Sequence, residues 1–214
     1  MNISILISSV DHPFYPDVQV WAESKTRLHT TKIVNKAADL FGGDLLLLIS
    51  CNEIVPLDIR RLFKKALVVH ASDLPNGRGW SPHIWGILGG ASQITISLLE
   101  AQDEIDSGDI LQTIKITVPC NLISREINAL LFTAEIELMD FAVENFDNLL
   151  PTKQAYLPNA TIWPKRTPND SEIDANASIS EQFNLLRVCD SERFPAFFYK
   201  DGRKFILILE VVDE

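Results

Sequence analysis

Short apolar runs separated by helical stretches dominate the pattern of hydrophobic and polar positions in this chain. Residues 2–9 and 44–50 are largely aliphatic, and the second run has the composition of a parallel strand that is buried on both faces. Further strands are predicted at residues 68–69, 94–99 and 111–118. Helices are predicted between the strands, over residues 16–28, 54–65 and 82–88. This alternation predicts a doubly wound α/β sheet.

The remainder of the chain divides into a long helix, a segment rich in proline and a small final unit. Residues 121–149 place apolar side chains at helical spacing, which predicts a helix that covers the sheet. Residues 151–178 contain four prolines, which indicates an extended linker. In the final unit, apolar runs flank Asp201-Gly202, a pair typical of β-hairpins. The sequence therefore predicts a core domain over 1–150, a linker over 151–178 and a helix-and-hairpin unit over 179–214.

Composition and charge exclude several classes of protein. A net charge of −10 opposes binding to a nucleic acid, which depends on Lys and Arg at the phosphates. The three cysteines, Cys51, Cys120 and Cys189, are widely spaced and predict neither a disulfide framework nor a metal site. No apolar run approaches the roughly 20 residues of a membrane span, and no basic region precedes the first strand. We therefore expect a cytoplasmic protein that binds neither membrane nor nucleic acid.

A histidine and a carboxylate follow two of the predicted strands. His70 comes directly after the apolar residues 66–69, and Asp106 follows the strand predicted at 94–99. Open α/β sheets bind ligands at the carboxyl ends of their strands, so the two side chains can meet in one crevice and share a proton. Either residue alone fits an ordinary turn. Together, among the surrounding prolines and glycines, they predict an enzyme.

The loops that carry these two residues resemble those of a known family. His70-Ala71-Ser72-Asp73-Leu74-Pro75, with Arg78-Gly79, resembles the HxSxLP loop of the folate-dependent formyltransferases, and Ile105 to Ile110 resembles their DxGDI loop. Residues 164–174, 184–187 and 194–197 resemble the C-terminal part of the sugar-nucleotide N-formyltransferases. The resemblance implies a Rossmann-like formyltransferase core. It also implies transfer of a formyl group from the co-substrate 10-formyltetrahydrofolate to an amine.

The resemblance also implies roles for the two loop residues. His70 would donate a hydrogen bond near the formyl oxygen, and Asp106 would orient the histidine or relay a proton. One position departs from the family pattern, because a catalytic Asn usually stands two residues before the histidine and this chain has Val68 there. We expect Asn52, which follows the buried strand ending at Ser50, to supply the missing donor. The alternative is that Asn52 only caps or turns the chain.

The other predicted site residues divide between the two substrates. The family resemblance implies that the pterin pocket is formed by Cys51, Ile54, Glu100 and Ile105. On the acceptor side, the predicted contacts are Ser72, Arg78, Trp80, Lys165 and Arg166. The two basic residues at 165 and 166 could pair with a diphosphate, or they could be solvated residues of the linker. For Trp80, packing is the alternative.

The acceptor class follows from comparison within the family. Glycinamide ribonucleotide transformylases carry a Gly-rich loop after the first strand, whereas residues 8–13 here contain no glycine. Initiator-tRNA formyltransferases are longer and have a basic C-terminal barrel, whereas this chain ends in acidic residues. The resemblance therefore implies an amino deoxy sugar linked to a nucleotide, UDP as in pseudaminic-acid-type enzymes, for a surface glycan.

Two other functions and one assembly stay open at this stage. Val68 is compatible with a formyltransferase-like protein that binds folate or nucleotide without turnover. A dehydrogenase on the same sheet is disfavoured, because no GxGxxG motif follows the first strand. The long helix or the hairpin could form the interface of a homodimer.

Overall fold

The computed structural model describes residues 1–212. Its strands, in chain order, are β1 (Asn2–Leu6), β2 (Thr30–Val34), β3 (Gly43–Ile49), β4 (Phe63–His70), β5 (Arg78–Gly79), β6 (Gln93–Glu100), β7 (Ile110–Thr117), β8 (Ile162–Trp163), β9 (Ala196–Lys200) and β10 (Arg203–Leu207). Its α-helices are α1 (Tyr15–Lys25), α2 (Leu57–Arg60), α3 (Pro82–Leu88), α4 (Ser124–Glu144) and α5 (Phe183–Val188). The last two residues of the unit predicted over 179–214 lie outside the described residues. Among residues 1–212, no helix has the length and apolar character needed to cross a bilayer.

A six-stranded sheet with the order β2-β1-β3-β4-β6-β7 forms the core. The first four strands are parallel, whereas β6 and β7 are antiparallel to their neighbours. One face of the sheet, which carries Ile5, Leu47 and Leu67, packs against α1 and α4. We call this the first face. The second face, which carries Leu46 and Leu48, is covered by a 3₁₀ turn at residues 37–39 and by α2. Coverage of both faces confirms the predicted α/β class.

The helix predicted over 54–65 is wrong in its second half. The helix ends at Arg60 and β4 already begins at Phe63, so the two lysines that follow lie in a strand. Lys64 Nζ lies 2.7 Å from the carboxylate of Asp44, and the ammonium of Lys65 lies 5.5 Å from the centre of the Phe146 ring. These contacts accommodate two cationic side chains in the sheet.

The segment predicted as a linker is extended, but it is bonded to the core. Thr152 forms a two-way bridge with Ile110, and β8 pairs in parallel with β5. A further bridge joins Glu172 to Phe197 of β9. The small C-terminal unit consists of α5 and the hairpin β9-β10, which turns at Asp201-Gly202 as predicted. Residues 151–178 are therefore part of the folded body.

Candidate active site

A crevice of about 770 Å³ opens where β3 and β4 end. It extends over the edge of the sheet and is lined from both sides. Leu48 and Val68 line it from the second face, and Ile87 and Leu131 line it from the first face. Because β4 ends between the two halves of the crevice, its last side chain is placed to act on ligands bound in either half.

That last residue of β4 is His70, and its side chain is 8% exposed. The Nε2 atom lies 2.9 Å from the carbonyl oxygen of Gly77. Because a carbonyl oxygen only accepts hydrogen bonds, Nε2 carries a hydrogen in this contact. The other ring nitrogen, Nδ1, lies 3.5 Å from Oδ2 of Asp106. The structure therefore brings together the histidine and the carboxylate that the sequence pairs.

Asp106 reaches the crevice for a reason that the sequence did not indicate. Because β6 runs antiparallel to β4, the loop 101–109 has to fold back toward the end of β4, and Asp106 adopts a left-handed conformation with φ of 50°. Its Oδ2 accepts a hydrogen bond of 2.9 Å from the backbone N–H of Gly79. The side-chain amide of Gln154 donates to the carbonyl oxygens of Asp106 and Gly108, both at 2.8 Å. The carboxylate is thus fixed by β5 and by the segment after α4.

All four residues predicted for the pterin pocket line the crevice: Cys51, Ile54, Glu100 and Ile105. The buried side chain of Arg60 holds together the loop after β3 and the loop after β6. Its Nε donates to the carbonyl oxygen of Val55 at 3.0 Å, and its Nη1 donates to that of Ala101 at 2.5 Å. Its Nη2 forms an ion pair with Asp103. We call this arrangement the Arg60 clamp.

Asn52 also lines the crevice, as the sequence predicts, and its side chain is exposed. Its backbone N–H donates to Oγ of Ser8 at 2.8 Å, which fixes the loop after β3 to the loop after β1. The aliphatic side chain of Val68 lines the same crevice. Burial raises the pKa of the neighbouring Cys51 thiol to about 12, so that side chain is a neutral wall of the pocket.

Of the residues predicted to contact the acceptor, Trp80, Lys165 and Arg166 line the crevice. Lys165 is exposed, and the guanidinium of Arg166 lies 6.0 Å from the centre of the Trp85 ring. Nη2 of Arg166 donates to the carbonyl oxygen of Asp170 at 2.7 Å. Two adjacent cations at the rim of a crevice can pair with phosphate oxygens.

The structure does not bring Ser72 or Arg78 to the crevice, and both assignments are corrected. Ser72 is buried beneath its loop, where its Oγ has no hydrogen-bond partner within the described residues. The guanidinium of Arg78 donates to Glu104 at 3.2 Å and to Gln154 at 2.9 Å. Arg78 therefore holds the Asp106 loop and the segment after α4 in place.

Three titratable groups that line the crevice have a pKa strongly shifted by burial and were not assigned to the site from the sequence: His12, His83 and Glu135. Burial lowers the pKa of His12 and of His83 to about 4 each. Burial raises the pKa of Glu135 to about 8. Helical spacing in α4 could have identified Glu135 as a buried carboxyl group, because it falls on the same stripe as the core residues Leu131 and Leu138. In the described part of the chain, no group of three or more His, Cys, Asp or Glu side chains could hold a metal ion.

The sequence matches a known protein family over most of the core. The profile of the family described as "Formyl transferase" matches residues 12–143. The methionyl-tRNA formyltransferase of Buchnera aphidicola subsp. Acyrthosiphon pisum (strain Tuc7) is 30% identical over 162 residues, which are 75% of this chain and 51% of that protein. The chain thus spans about half the length of the curated relatives it matches.

Solved structures share the fold over almost the entire chain. A methionyl-tRNA formyltransferase from Clostridium thermocellum has a TM-score of 0.81 at 23% identity, covering 100% of this chain and 94% of that one. HypX from Aquifex aeolicus in complex with tetrahydrofolic acid has a TM-score of 0.78 at 21% identity, covering 97% and 37%. A 4-N formyltransferase from Francisella tularensis has a TM-score of 0.73 at 18% identity, covering 100% and 98%. At these identities the similarity shows a common fold.

Proposed function

Because this chain belongs to the formyl transferase family, we propose that it transfers the formyl group of 10-formyltetrahydrofolate to the exocyclic amine of a UDP-linked amino deoxy sugar. The observation that carries this proposal is the contact of 3.5 Å between His70 Nδ1 and Asp106 Oδ2. This pair lies between the two halves of a crevice of about 770 Å³, a volume typical of small-molecule sites. The reaction needs the pair at that point, where donor and acceptor meet.

Formyl transfer to an amine develops negative charge on the formyl oxygen and releases a proton from nitrogen. His70 would stabilise the negative charge on the formyl oxygen. Its Nε2–H, which donates to the Gly77 carbonyl oxygen in the structure, could donate to the formyl oxygen instead. Asp106 serves the second requirement, because its carboxylate can accept the proton through His70 or through water. Burial of both side chains strengthens these interactions by excluding bulk water.

Asn52 is the second donor in this proposal. Val68 lines the crevice two residues before His70 but has no hydrogen to donate. Asn52 is exposed in the same crevice, and the loop that carries it is fixed by the hydrogen bond to Ser8. An amide N–H from Asn52 would therefore take the place of the Asn that the family carries.

The half of the crevice on the second face fits the folate co-substrate. Its walls include Ile54, Ile105 and the neutral thiol of Cys51, which suit a flat ring system. Backbone groups of the loop that starts at Ala101 suit the polar edge of such a ring, and the Arg60 clamp holds this loop. HypX, a structural neighbour, was crystallised with tetrahydrofolic acid, which supports a folate as a ligand of this fold.

Two observations support the sugar nucleotide as the acceptor. Lys165 and Arg166 are adjacent at the rim, where a diphosphate could pair with both. A sugar N-formyltransferase from Shewanella sp. FDAARGOS_354 shares the fold over the whole chain, as does the methionyl-tRNA formyltransferase from Clostridium thermocellum. The names of the curated relatives favour methionyl-tRNA instead, so this acceptor is the competing substrate to test.

The test is a tetrahydrofolate-release assay with 10-formyltetrahydrofolate and three acceptors, namely UDP-linked amino sugars, dTDP-linked amino sugars and methionyl-tRNA. We expect turnover with a UDP-linked amino sugar, and its loss in His70→Ala and in Asn52→Ala. Matched controls are His29→Ala and Asn121→Ala, which remove the same side chains away from the crevice and should keep full turnover. Transfer to methionyl-tRNA alone would replace the proposed acceptor.

Val68 supports a second candidate, a relative that binds folate or nucleotide without turnover. Loss of one oxyanion donor costs about 10²–10³ in rate in a well-studied hydrolase. Calorimetric binding of tetrahydrofolate and UDP, with no tetrahydrofolate release from any acceptor, would favour this candidate. Turnover that depends on Asn52 would exclude it.

A further inference from the structure

Glu135 is a carboxyl group buried where α4 faces the sheet. The residue is 6% exposed, and its Oε2 has no hydrogen-bond partner within the described residues. The helical neighbours Leu131 and Leu138 belong to the hydrophobic core. An unpartnered carboxyl group weakens the fold here, because its burial costs free energy that an apolar side chain would not cost. A role in binding would explain its presence.

Glu135 lines the same crevice as His70, but from the first face. Near it, Ile127 and Leu131 of the same helix also line the crevice. The loop of the proposed folate pocket packs on the second face instead, through Ala101. The end of β4, with His70, separates the two halves. Glu135 therefore belongs to the half in which the acceptor would bind.

The charged and titratable groups that line this half leave Glu135 available to a ligand. His12, after β1, and His83, on α3, are neutral at pH 7, since burial lowers the pKa of each to about 4. Beyond α5, Arg193 Nε is paired with Asp190 Oδ2 at 2.7 Å. Lys165 and Arg166 lie at the rim, where they would pair with phosphate oxygens, and Asp11 is a further carboxylate of the crevice. Around Glu135 itself, a cation therefore meets neutral imidazoles and a carboxyl group. In the proposed reaction, the cation that enters this half is the protonated amine of the acceptor.

We propose that Glu135 binds the amino group of the acceptor as an ammonium ion and sets the specificity of this half of the crevice for primary amines. The carboxyl proton of the empty site leaves to solvent on binding, and the carboxylate then takes one proton from the ammonium, which leaves the neutral amine to attack. This inference rests on the proposed function. The ion pair would give Oε2 the donor that it lacks in the structure. The same molecule with a hydroxyl group in place of the amine would leave Oε2 without a charged partner. The inference holds for an amino sugar and for an aminoacyl group, because both present a primary amine.

The first test observes the carboxyl group directly and needs no turnover. Protein labelled with ¹³C at the glutamate carboxyl carbons is titrated at pH 7 with propylammonium chloride or with propanol, and the Glu135 signal is assigned by its loss in Glu135→Gln. The empty site holds a protonated carboxyl, since burial raises its pKa to about 8. We expect propylammonium to shift this signal to that of a carboxylate and propanol to leave it in place. Equal responses to the two probes would overturn the inference.

The second test uses the acceptor that the assay above identifies. Glu135→Gln should raise the acceptor KM roughly 10- to 100-fold, leave tetrahydrofolate affinity unchanged and abolish the preference for amine over hydroxyl in binding. Glu135→Asp should restore part of the preference, whereas a purely structural role would weaken binding of both ligands equally. The matched control is Glu137→Gln, an exposed residue of the same helix. If wild type forms no product but the carboxyl responds to propylammonium, the proposed function fails and the amine site stands.

Discussion

Val68 stands where a hydrogen-bond donor would serve the proposed chemistry. It lines the crevice and lies in β4 on the same side of the sheet as His70, since side chains alternate along a strand. Its neighbours in the second-face cluster are apolar, so a valine packs well there. If Asn52 supplies the donor from the loop after β3, the two positions are alternatives for one function.

We therefore predict that Val68→Asn rescues Asn52→Ala. The single variant Asn52→Ala should lose about 10²–10³ in kcat, and the double variant should recover part of that loss, because one amide donor again faces the oxyanion. Single-turnover kinetics with the acceptor identified above would measure both. Val68→Leu in the same background is the control, since it repacks β4 without adding a donor. No recovery in a folded double variant would contradict a shared role.

A second prediction concerns how the ionisation of Glu135 changes the stability of the fold. Its pKa rises from 4.5 in the unfolded chain to about 8 in the fold, so the folded state holds a proton that the unfolded state releases between these values. The contribution of Glu135 to stability should therefore fall as pH rises through this window, by about 1.4 kcal/mol per pH unit. Urea denaturation between pH 7 and pH 8 should show a downward slope in wild type that is absent in Glu135→Gln. A slope that survives in the variant would assign the effect to another group.

His12 and His83 change the stability of the fold in the opposite direction, at lower pH. Their pKa values fall from 6.5 to about 4, so the unfolded chain binds protons in this window that the folded chain does not bind. Stability should fall as pH decreases below about 6.5. Replacement of His83 by Gln should reduce the acid loss in urea denaturation at pH 5 more than His29→Gln does, because the pKa of His29, outside the crevice, is lowered less than that of His83. An equal effect of both substitutions would argue against burial as the cause.

At the scale of elements, the pair β5-β8 links the segment after α4 to the proposed catalytic carboxylate. Gly79 lies in β5 with φ of 97°, pairs with Trp163 and donates its N–H to Asp106 at 2.9 Å. A Cβ atom at Gly79 would overlap the carbonyl oxygen of Trp163. This position therefore requires glycine for space as well as for conformation.

We predict that Gly79→Ala destabilises the fold and lowers kcat, because β5 must move away from β8 and the Asp106 carboxylate loses its donor. Gly90→Ala is the matched control, since its φ of 88° imposes similar strain but no atom lies within 4 Å of the added Cβ. Each variant should lose about 1–2 kcal/mol from the left-handed conformation, and Gly79→Ala should lose more. Thermal unfolding and the transfer assay would measure the difference. Equal losses would mean that the pair tolerates the added atom.

The elements that sequence patterns identified are those with strong periodicity. The aliphatic strand β3 and the amphipathic helix α4 lie where they were predicted, since burial on two faces or on one stripe leaves a clear pattern. The strand β2 was missed because, at an edge of the sheet, it buries little beyond Val34. The helix before β4 was predicted to be too long, because basic residues commonly end helices and Lys64 and Lys65 lie at the start of this strand. Strand direction leaves no mark on hydrophobicity, so the antiparallel β6 and β7 could not be inferred.

The sequence predicted part of the proposed site, namely the residues that directly follow strongly apolar runs. His70 and Asp106 could be paired because each follows an apolar run, although the loop that delivers the carboxylate folds back by a route that spacing does not show. Ser72 and Arg78 were misplaced because a loop sequence does not tell which side chains turn inward. Gln154 had no local signal, since its role depends on a segment that packs back onto the core.

For the whole molecule, charge bears on the choice of acceptor. The chain carries 29 acidic and 19 basic residues, a net charge of −10. Such a charge repels a polyanion at every distance within the Debye length, so favourable contacts with tRNA would need a basic surface. A nucleotide diphosphate needs fewer cationic contacts than tRNA, because two adjacent cations can pair with its phosphate oxygens.

We predict that this chain binds UDP more tightly than it binds tRNA at physiological salt. Fluorescence anisotropy with labelled tRNA should show weak binding, and Lys165→Ala with Arg166→Ala should weaken UDP binding in calorimetry. Arg203→Ala with Lys204→Ala, a cation pair outside the crevice, is the control that should leave UDP affinity unchanged. Tight tRNA binding that weakens steeply with added salt would instead support an RNA acceptor.

The Arg60 clamp has a consequence for how fast ligands bind. Arg60 joins two loops that flank one half of the crevice, through backbone carbonyls of Val55 and Ala101 and through Asp103. Loops that are already ordered lose little conformational entropy when a ligand enters. Association of folate should therefore be a single second-order step without a slow isomerisation phase. Collision and orientation would then set the association rate constant, and differences in affinity between related folates would arise in the dissociation rate constant.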